Sequence, residues 1–427
     1  MFVVLSVIRR LGANPVLLWV VFLGVHVWLG WDGLTHPSMP FGDVTNVYRG
    51  WVEQWLSGDR LGIDGPWVYP LLAIVPMLAS LVLGVDDYGI GWMIVVTLAD
   101  AVVFAYLVGR IRPGGAGRVA RLAAAWWWLV FLLLLGPVAV GRIDIFTVDL
   151  VIGGLLVVAS RPALAGVLLA LATWVKVWPA AVLVGVAIAV RRRMRVLVAA
   201  GITLVAVLAV ALLLGSGMNA FSFVTEQTGR GLQIEAPFAS VWLWLAYAGQ
   251  GQVYYSTEIL TFQVTGPGSD LIATLTTPLL VVATAVVLVL AVVVVRRGGS
   301  PTAVLPPLAL AIIAALMVFN KVGSPQFVVW LSAPVILGLV TLGRRFLVPA
   351  LLVLVQALLT QVIYPIGYDE ILGLDPLMLT VLTVRNLLTV VLFGYALVLL
   401  WQSRRARGDR HSGGVDHVVG ETSRPVA

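Results

Sequence analysis

Long apolar segments recur along almost the whole chain, and they constrain its fold more than any other feature. The chain has 427 residues, of which 60% are hydrophobic and 11% are charged, whereas soluble globular chains carry about 25% charged residues. Many of the apolar runs reach the roughly 17–25 residues that cross the hydrocarbon core of a bilayer. The sequence therefore predicts an all-α polytopic membrane protein, because one signal peptide and one anchor would not account for so many runs.

Loop charge orders these runs into twelve predicted spans. Arginine clusters mark one set of ends, which the positive-inside rule assigns to the cytoplasm together with both termini. The run 163–190 contains Lys176 and Pro179, so we expect it to break into two short helices that meet at the outer face. The run 67–84 is apolar enough to cross, but crossing would carry the next arginine cluster outside. We interpret it instead as an interfacial or re-entrant part of the first outer loop.

The predicted organisation is one transmembrane domain over 1–407, with large outer loops at 32–88 and 216–268. Residues 408–427 are rich in glycine and polar side chains, which is typical of a disordered tail, here cytoplasmic. The net charge of +7 does not indicate nucleic acid, since the arginines flank apolar runs. The absence of cysteine excludes disulfides and thiolate chemistry.

The first outer loop contains a carboxylate in a distinctive position. Asp43 begins a predicted amphipathic helix that lies at the interface, anchored by tryptophan. The apolar positions of this helix are Val44, Val47, Trp51, Trp55 and Leu56. Asp43 is either a simple N-cap or a functional acid.

The other candidate side chains lie in further outer segments, and each has a plain structural alternative. Arg142 and Asp144 could form a local ion pair, and Lys176 could extend outward to reach water. Lys321 and Gln326 flank a Gly-Ser-Pro turn in an apolar setting. Lys176 and Lys321 are the two lysines in a chain that otherwise uses arginine. The long loop after 216 adds Arg230 and Glu235.

One carboxylate and several cations on one face suit glycosyl transfer from a lipid phosphate. The carboxylate would take the proton of an acceptor hydroxyl, and the cations would stabilise the departing phosphate. The sequence has no glycine-rich nucleotide motif. The donor is therefore expected to be embedded in the membrane.

An ordered set of short motifs resembles the GT-C glycosyltransferases that use polyprenyl-phosphate sugars, as in glycosyltransferase family 87. The chain is also similar to the catalytic subunit family of GPI mannosyltransferase I. The motifs extend over about 300 residues. They are Gly42-Asp43 with its helix, Trp67 to Ala73, Leu98-Ala-Asp100, Ala165 to Pro179, and Asn320 to Trp330.

The resemblance implies an inverting mannosyltransferase with an extracytoplasmic active site. Its donor would be polyprenyl-phosphate-mannose, and its acceptor an outer-leaflet glycolipid or lipoglycan. The acid after the first span would be the base, which here is Asp43. The expected donor-phosphate residues are Lys176, Lys321 and Arg230. Sugar contacts or supporting roles are expected for Tyr48, Tyr69, Arg142, Asp144, Glu235 and Gln326.

Several alternatives stay open at this point. Relatives often show paired acids in the first outer loop, but Asp43 is followed by Val44 and Thr45. No metal or other cofactor is therefore predicted, although a divalent metal is not excluded because Asp59 or Asp64 could fold back beside Asp43. The sugar could equally be arabinofuranose or glucose. A secondary transporter, or a non-catalytic flippase or scaffold, is the alternative from another functional class.

Overall fold

The chain folds into a bundle of apolar helices, and residues 14–109, 117–226, 231–257 and 261–405 are described by this computed structural model. Membrane-length helices are α1 (Pro15–Thr35), α4 (Tyr88–Gly109), α5 (Arg118–Leu135), α9 (Arg193–Leu213), α12 (Ser269–Arg296), α13 (Pro301–Val318) and α17 (Pro376–Gln402). Shorter helices between them are α6 (Asp144–Val157), α7 (Pro162–Val175), α8 (Pro179–Ala189), α14 (Ser332–Leu342) and α15 (Leu347–Gln361). The fold is an all-α polytopic membrane bundle.

The remaining elements lie in the connections between these helices. They are α2 (Arg49–Leu56), α3 (Ile74–Ala79), α10 (Ser222–Thr225), α11 (Ala239–Tyr247), α16 (Tyr368–Leu372) and the antiparallel hairpin of β1 (Gln252–Ser256) and β2 (Thr261–Thr265). Among the described residues, eight continuous helical stretches are long and apolar enough to cross a membrane. One of these, Pro325–Ile366, contains two predicted spans and is interrupted at Gly343, whose φ is 54°. The other three predicted spans, by contrast, correspond to helices of 11 to 14 residues, so the total of twelve remains a prediction.

The break expected within 163–190 is present. Helix α7 ends at Val175, Lys176 adopts an extended conformation, and α8 begins at Pro179. Proline suits the first position of a helix, because the N–H that it lacks would have no hydrogen-bond partner there. The two helices pack against each other, and α7 packs closely along α9.

The segment 67–84 does not form a single spanning helix. It consists of a 3₁₀ turn (Leu71–Ala73), α3, and a second 3₁₀ turn (Ser80–Leu83). Thirteen helical residues extend roughly 20 Å, short of the roughly 30 Å hydrocarbon core. The second turn packs back onto α4, where a side chain at Gly91 would collide with the carbonyl of Ser80. This segment therefore forms a short hairpin with α4.

The predicted helix after Asp43 is also present, but its buried stripe differs from the expected one. A π-helical turn (Asp43–Tyr48) leads into α2. Val44, Tyr48 and Val52 are buried, whereas Leu56 is 61% exposed. The wider π turn shifts the angular positions that follow, so an ideal 3.6-residue period misplaces the buried face.

Candidate active site

The connection between α5 and α6 carries two buried opposite charges, and each pairs with a distant residue. Arg142 is 6% exposed and Asp144 is 1% exposed. The expected local pair between them is wrong: Arg142 binds Asp43 of the first outer loop, and Asp144 binds Lys176 at the break between α7 and α8. Two residues that are close in sequence thus hold two separate segments of the chain.

Asp43 forms an ion pair rather than a helix cap. Its Oδ2 lies 2.9 Å from Nε of Arg142, and the π turn that it begins has no side-chain cap. The arginine is further fixed because it donates 2.8 Å hydrogen bonds to the carbonyls of Pro40 and Gly141. The Asp43 side chain is 44% exposed, so its carboxylate remains accessible.

The α5–α6 connection can approach the residues before Asp43 closely because residue 141 is a glycine. A Cβ atom at this position would lie 2.6 Å from the ring of Phe41. The absence of a side chain lets the connection lie directly against the residues that precede Asp43. This contact explains why Arg142 reaches the outer-loop carboxylate.

Lys176 does not extend to water, contrary to the simple structural alternative. Its Nζ donates to both oxygens of Asp144 at 2.7 and 2.9 Å, and its side chain is only 17% exposed. Nε1 of Trp330 donates to the same carboxylate at 2.6 Å. The ammonium also lies 5.4–5.8 Å from the ring centres of Tyr69, Phe327 and Trp330. Charge-assisted hydrogen bonds and aromatic faces together compensate for its partial burial.

Tyr48 and Tyr69 lie between the two ion pairs. Burial raises the pKa of both phenols, and the two hydroxyls interact with each other. Tyr69 interacts electrostatically with Lys176, Asp144 and Asp43, while Tyr48 also accepts from the backbone N–H of Ile143 at 3.3 Å. Both hydroxyls therefore stay protonated at neutral pH, and both lie close enough to the two ion pairs to interact with their charges.

A cavity of about 640 Å³ opens beside Lys176 and includes Lys321 in its lining. Volumes of 300–1,000 Å³ are typical of small-molecule and cofactor sites. Both lysines of the chain thus face the same space. The other lining residues are apolar or aromatic with few exceptions: Val68, Tyr69, Pro70, Val177, Trp178, Phe223, Val224, Thr277, Leu316, Asn320, Val322, Phe327 and Trp330. Gln326 is partly buried beside this lining, immediately before Phe327.

Comparison with known families indicates the class of reaction. The model of glycosyltransferase family 87, a GT-C-type family, matches residues 67–254. The match covers a little under half of the chain, and it indicates a glycosyltransferase. The matched segment includes Tyr69, Arg142, Asp144, Lys176 and Glu235, whereas Asp43, Lys321 and Gln326 lie outside it. No curated protein and no solved structure matches the chain significantly. The resemblance to the GPI mannosyltransferase I subunit stays a prediction.

Glu235 lies in a second polar cluster rather than in the lining of the lysine cavity. The side chain is 2% exposed, Oε1 accepts from the hydroxyl of Tyr368 at 2.9 Å, and Arg385 donates to the Glu235 carbonyl at 3.3 Å. Burial raises the pKa of Glu235 to about 7, although the Tyr368 hydrogen bond and the Arg385 charge act in the opposite direction. At neutral pH this carboxyl is therefore close to half protonated.

The Glu235 cluster is connected to Asp43 through two tyrosines. Arg142 donates to the hydroxyl of Tyr364 at 3.1 Å, and the ring of Tyr364 packs edge-on against Tyr368 at 5.3 Å. The loop that carries Glu235 also contacts the Lys321 segment, since the N–H of Gln233 donates to the Lys321 carbonyl at 3.0 Å. One continuous set of contacts thus joins the first outer loop, the α5–α6 connection and the last helices.

Sequence reasoning missed four residues of this arrangement: Trp330, Tyr364, Tyr368 and Arg385. Trp330 was part of a motif but carried no assigned role. Arg385 offered the clearest signal, because an arginine within the apolar run 377–401 requires a polar partner. The two tyrosines gave no periodic signal in a short connection.

The remaining predicted site residues contribute less. Arg230 lies outside the described residues. Asp59 and Asp64 do not join Asp43; Asp59 accepts from Gln54 at 2.7 Å, and Asp64 pairs with Arg60 at 2.9 Å. Within the described ranges, no group of three or more His, Asp or Glu side chains could hold a metal ion.

Proposed function

We propose that the protein is an inverting mannosyltransferase that uses a polyprenyl-phosphate-mannose donor and an outer-leaflet glycolipid or lipoglycan acceptor. The observation that carries this proposal is the cavity that both lysines line. Two cations suit the phosphate of such a donor, and the apolar and aromatic walls suit the adjoining isoprenoid chain. The choice of mannose rests on the family resemblance, and arabinofuranose or glucose on the same carrier would need the same groups.

The proposed reaction is a direct displacement at the anomeric carbon. The acceptor hydroxyl oxygen forms the new glycosidic bond while the bond from the anomeric carbon to the phosphate oxygen breaks. Asp43 accepts the hydroxyl proton, and the leaving group is polyprenyl phosphate. A half-exposed carboxylate held at 2.9 Å by Arg142 suits this role, because it is oriented by the arginine and accessible to an acceptor.

The cations would act on the leaving group. Lys176 and Lys321 stabilise the negative charge that develops on the phosphate oxygen. Asp144 holds the Lys176 ammonium through two hydrogen bonds, so it is a positioning residue in this scheme. Tyr48 and Tyr69 stay protonated and can donate to sugar or phosphate oxygens. Arg230 and Gln326 are further proposed contacts of the donor, and Glu235 supports the site through Tyr368.

The proposed location is the plasma membrane, with both termini in the cytoplasm and the site on the extracytoplasmic face. Asp43 and Lys176 both lie at helix ends opposite the arginine clusters. The clusters at 191–195, 296–297 and 344–345 are typical of cytoplasmic ends. This orientation suits a donor that is presented from the outer leaflet.

The test of this proposal is transfer by purified protein from polyprenyl-phosphate-mannose, -arabinofuranose and -glucose to extracted membrane glycolipid. Asp43→Asn should still fold and insert, with some loss of detergent stability because the Arg142 charge loses its partner, and should lose at least 100-fold in turnover, as expected for loss of a general base. Asp86→Asn is the matched control, since Asp86 is an exposed acid of the same loop; it should retain activity. Full activity of Asp43→Asn would refute the assignment of the base.

The same assay separates the alternatives. Transfer from only the arabinose or glucose carrier would replace mannose and leave the mechanism unchanged. Substrate uptake into proteoliposomes without any transfer product would instead support the transporter hypothesis.

A further inference from the structure

A second cavity, of about 550 Å³, lies between α8, the start of α9 and the end of α12. Its walls are apolar and include Leu183, Ile188 and Val292. Two arginines, Arg193 and Arg296, also line it. Helix α8 contacts both α9 and α12, so the cavity is a slot along α8 between its two neighbours.

This slot lies far from the cavity of the two lysines, although the same helices reach both. Thr277 of α12 lines the lysine cavity, and Val292 of the same helix lines the second one. Fifteen residues of α-helix extend roughly 22 Å, most of the roughly 30 Å hydrocarbon thickness. Likewise, Trp178 immediately before α8 lines the lysine cavity, whereas Ile188 near the end of α8 lines the slot. The slot therefore belongs to the opposite, arginine-bearing side of the membrane.

The charged side chains that line the slot are both positive. No acidic side chain is among the described residues that line it. Further arginines adjoin the two lining ones in sequence: Arg191, Arg192, Arg195 and Arg297. Two arginines beside an apolar slot complement a lipid in which a phosphate is joined to acyl chains. Basic pockets between membrane helices bind anionic lipid headgroups on the cytoplasmic side.

We infer that this slot binds an anionic phospholipid of the inner leaflet. The phosphate lies between Arg193 and Arg296, and one acyl chain fills the space along Leu183 and Ile188. The lipid holds α8 against α12 at the arginine end. Because both helices reach the lysine cavity at their other ends, the bound lipid also stabilises the part of the bundle that carries the active site.

The test uses the full-length protein in detergent, titrated with phosphatidylglycerol or with phosphatidylcholine of the same chains, and counts bound lipids by native mass spectrometry. Each arginine near a membrane surface is worth about fivefold in binding of an anionic lipid. The double variant Arg193→Gln/Arg296→Gln should therefore bind phosphatidylglycerol roughly 25-fold more weakly. Arg344→Gln/Arg345→Gln is the matched control, since these exposed arginines lie outside the slot, and its binding should equal wild type.

A second variant separates the chain from the headgroup. Ala187→Trp fills the slot and leaves both arginines, so it should also abolish the preferred phosphatidylglycerol adduct. Equal binding of the two lipids by wild type would overturn the inference. An equal loss in the Arg344/Arg345 control would overturn it too, because binding would then reflect the charge of the whole face.

Discussion

Ionisation of Glu235 should make the stability of the protein depend on pH in a defined direction. Burial raises the pKa of this carboxyl from 4.5 to about 7 in the folded protein. The folded state therefore binds more protons than the unfolded state between these values, and its stability falls as pH rises through this window. A shift of this size corresponds to about 3 kcal/mol, which is lost in full above pH 7.

The matching experiment compares wild type with Glu235→Gln from pH 5 to pH 8.5. The amide still accepts the hydrogen bond from Tyr368 but never ionises. For a chain of this length, about 3 kcal/mol corresponds to a shift of roughly 3 °C in the midpoint of thermal unfolding. As pH rises, the unfolding midpoint of wild type should therefore fall by roughly 3 °C relative to that of Glu235→Gln. The midpoint is measured from the fraction of protein that stays monodisperse after heating.

Two further variants test whether Glu235 is the source of the pH dependence. Glu370→Gln changes an exposed acid near Tyr368 and should keep the pH dependence of wild type. Tyr368→Phe removes a hydrogen bond that lowers the pKa of Glu235, so the loss of stability should move to higher pH. If Glu235→Gln shows the same pH dependence as wild type, the buried carboxyl does not titrate in this window.

Three other predictions follow from the packing and charges of the site. Asp144→Asn should cost about 3–5 kcal/mol because it leaves the Lys176 charge unpaired. Adding Lys176→Met should restore part of that cost in a double-mutant cycle of thermal stability, and strictly additive costs would contradict the pairing. Lys321→Gln should raise the KM for the lipid-linked donor at least tenfold with the acceptor KM unchanged, as steady-state kinetics would measure; a change in the acceptor KM alone would refute the role. Gly166→Ala should cost about 1–3 kcal/mol, since its methyl group would collide with the backbone of α9, whereas Gly201→Ala has open space and should be tolerated.

Helix positions could be read from the sequence because apolar runs of membrane length allow few alternatives. The break at Lys176 and Pro179 was also predictable, since a lysine and a proline together oppose a continuous buried helix. The number of true crossings was less accessible. Helices of 11 to 14 residues such as α6, α7 and α8 are too short for length alone to decide whether they cross.

Ion-pair partners could not be predicted, because they depend on contacts between distant segments. Arg142 and Asp144 are two residues apart and suggested a local pair, yet their partners are Asp43 and Lys176. The contact between Gly141 and the ring of Phe41 brings Asp43 close, and no sequence pattern signals it. Similarly, burial of Glu235 depends on Tyr368 and on a helix about 150 residues later in the chain.

The tripeptide Arg142-Ile143-Asp144 has a consequence for substrate size. Arg142 holds Asp43 and Asp144 holds Lys176, so both partners are attached to backbone positions at most about 7 Å apart. Covalent geometry therefore limits how far Asp43, the proposed base, and Lys176, a proposed ligand of the donor phosphate, can separate. A glycine inserted after Ile143 would lengthen this spacer, so such an insertion would alter substrate alignment without replacing any side chain of the site.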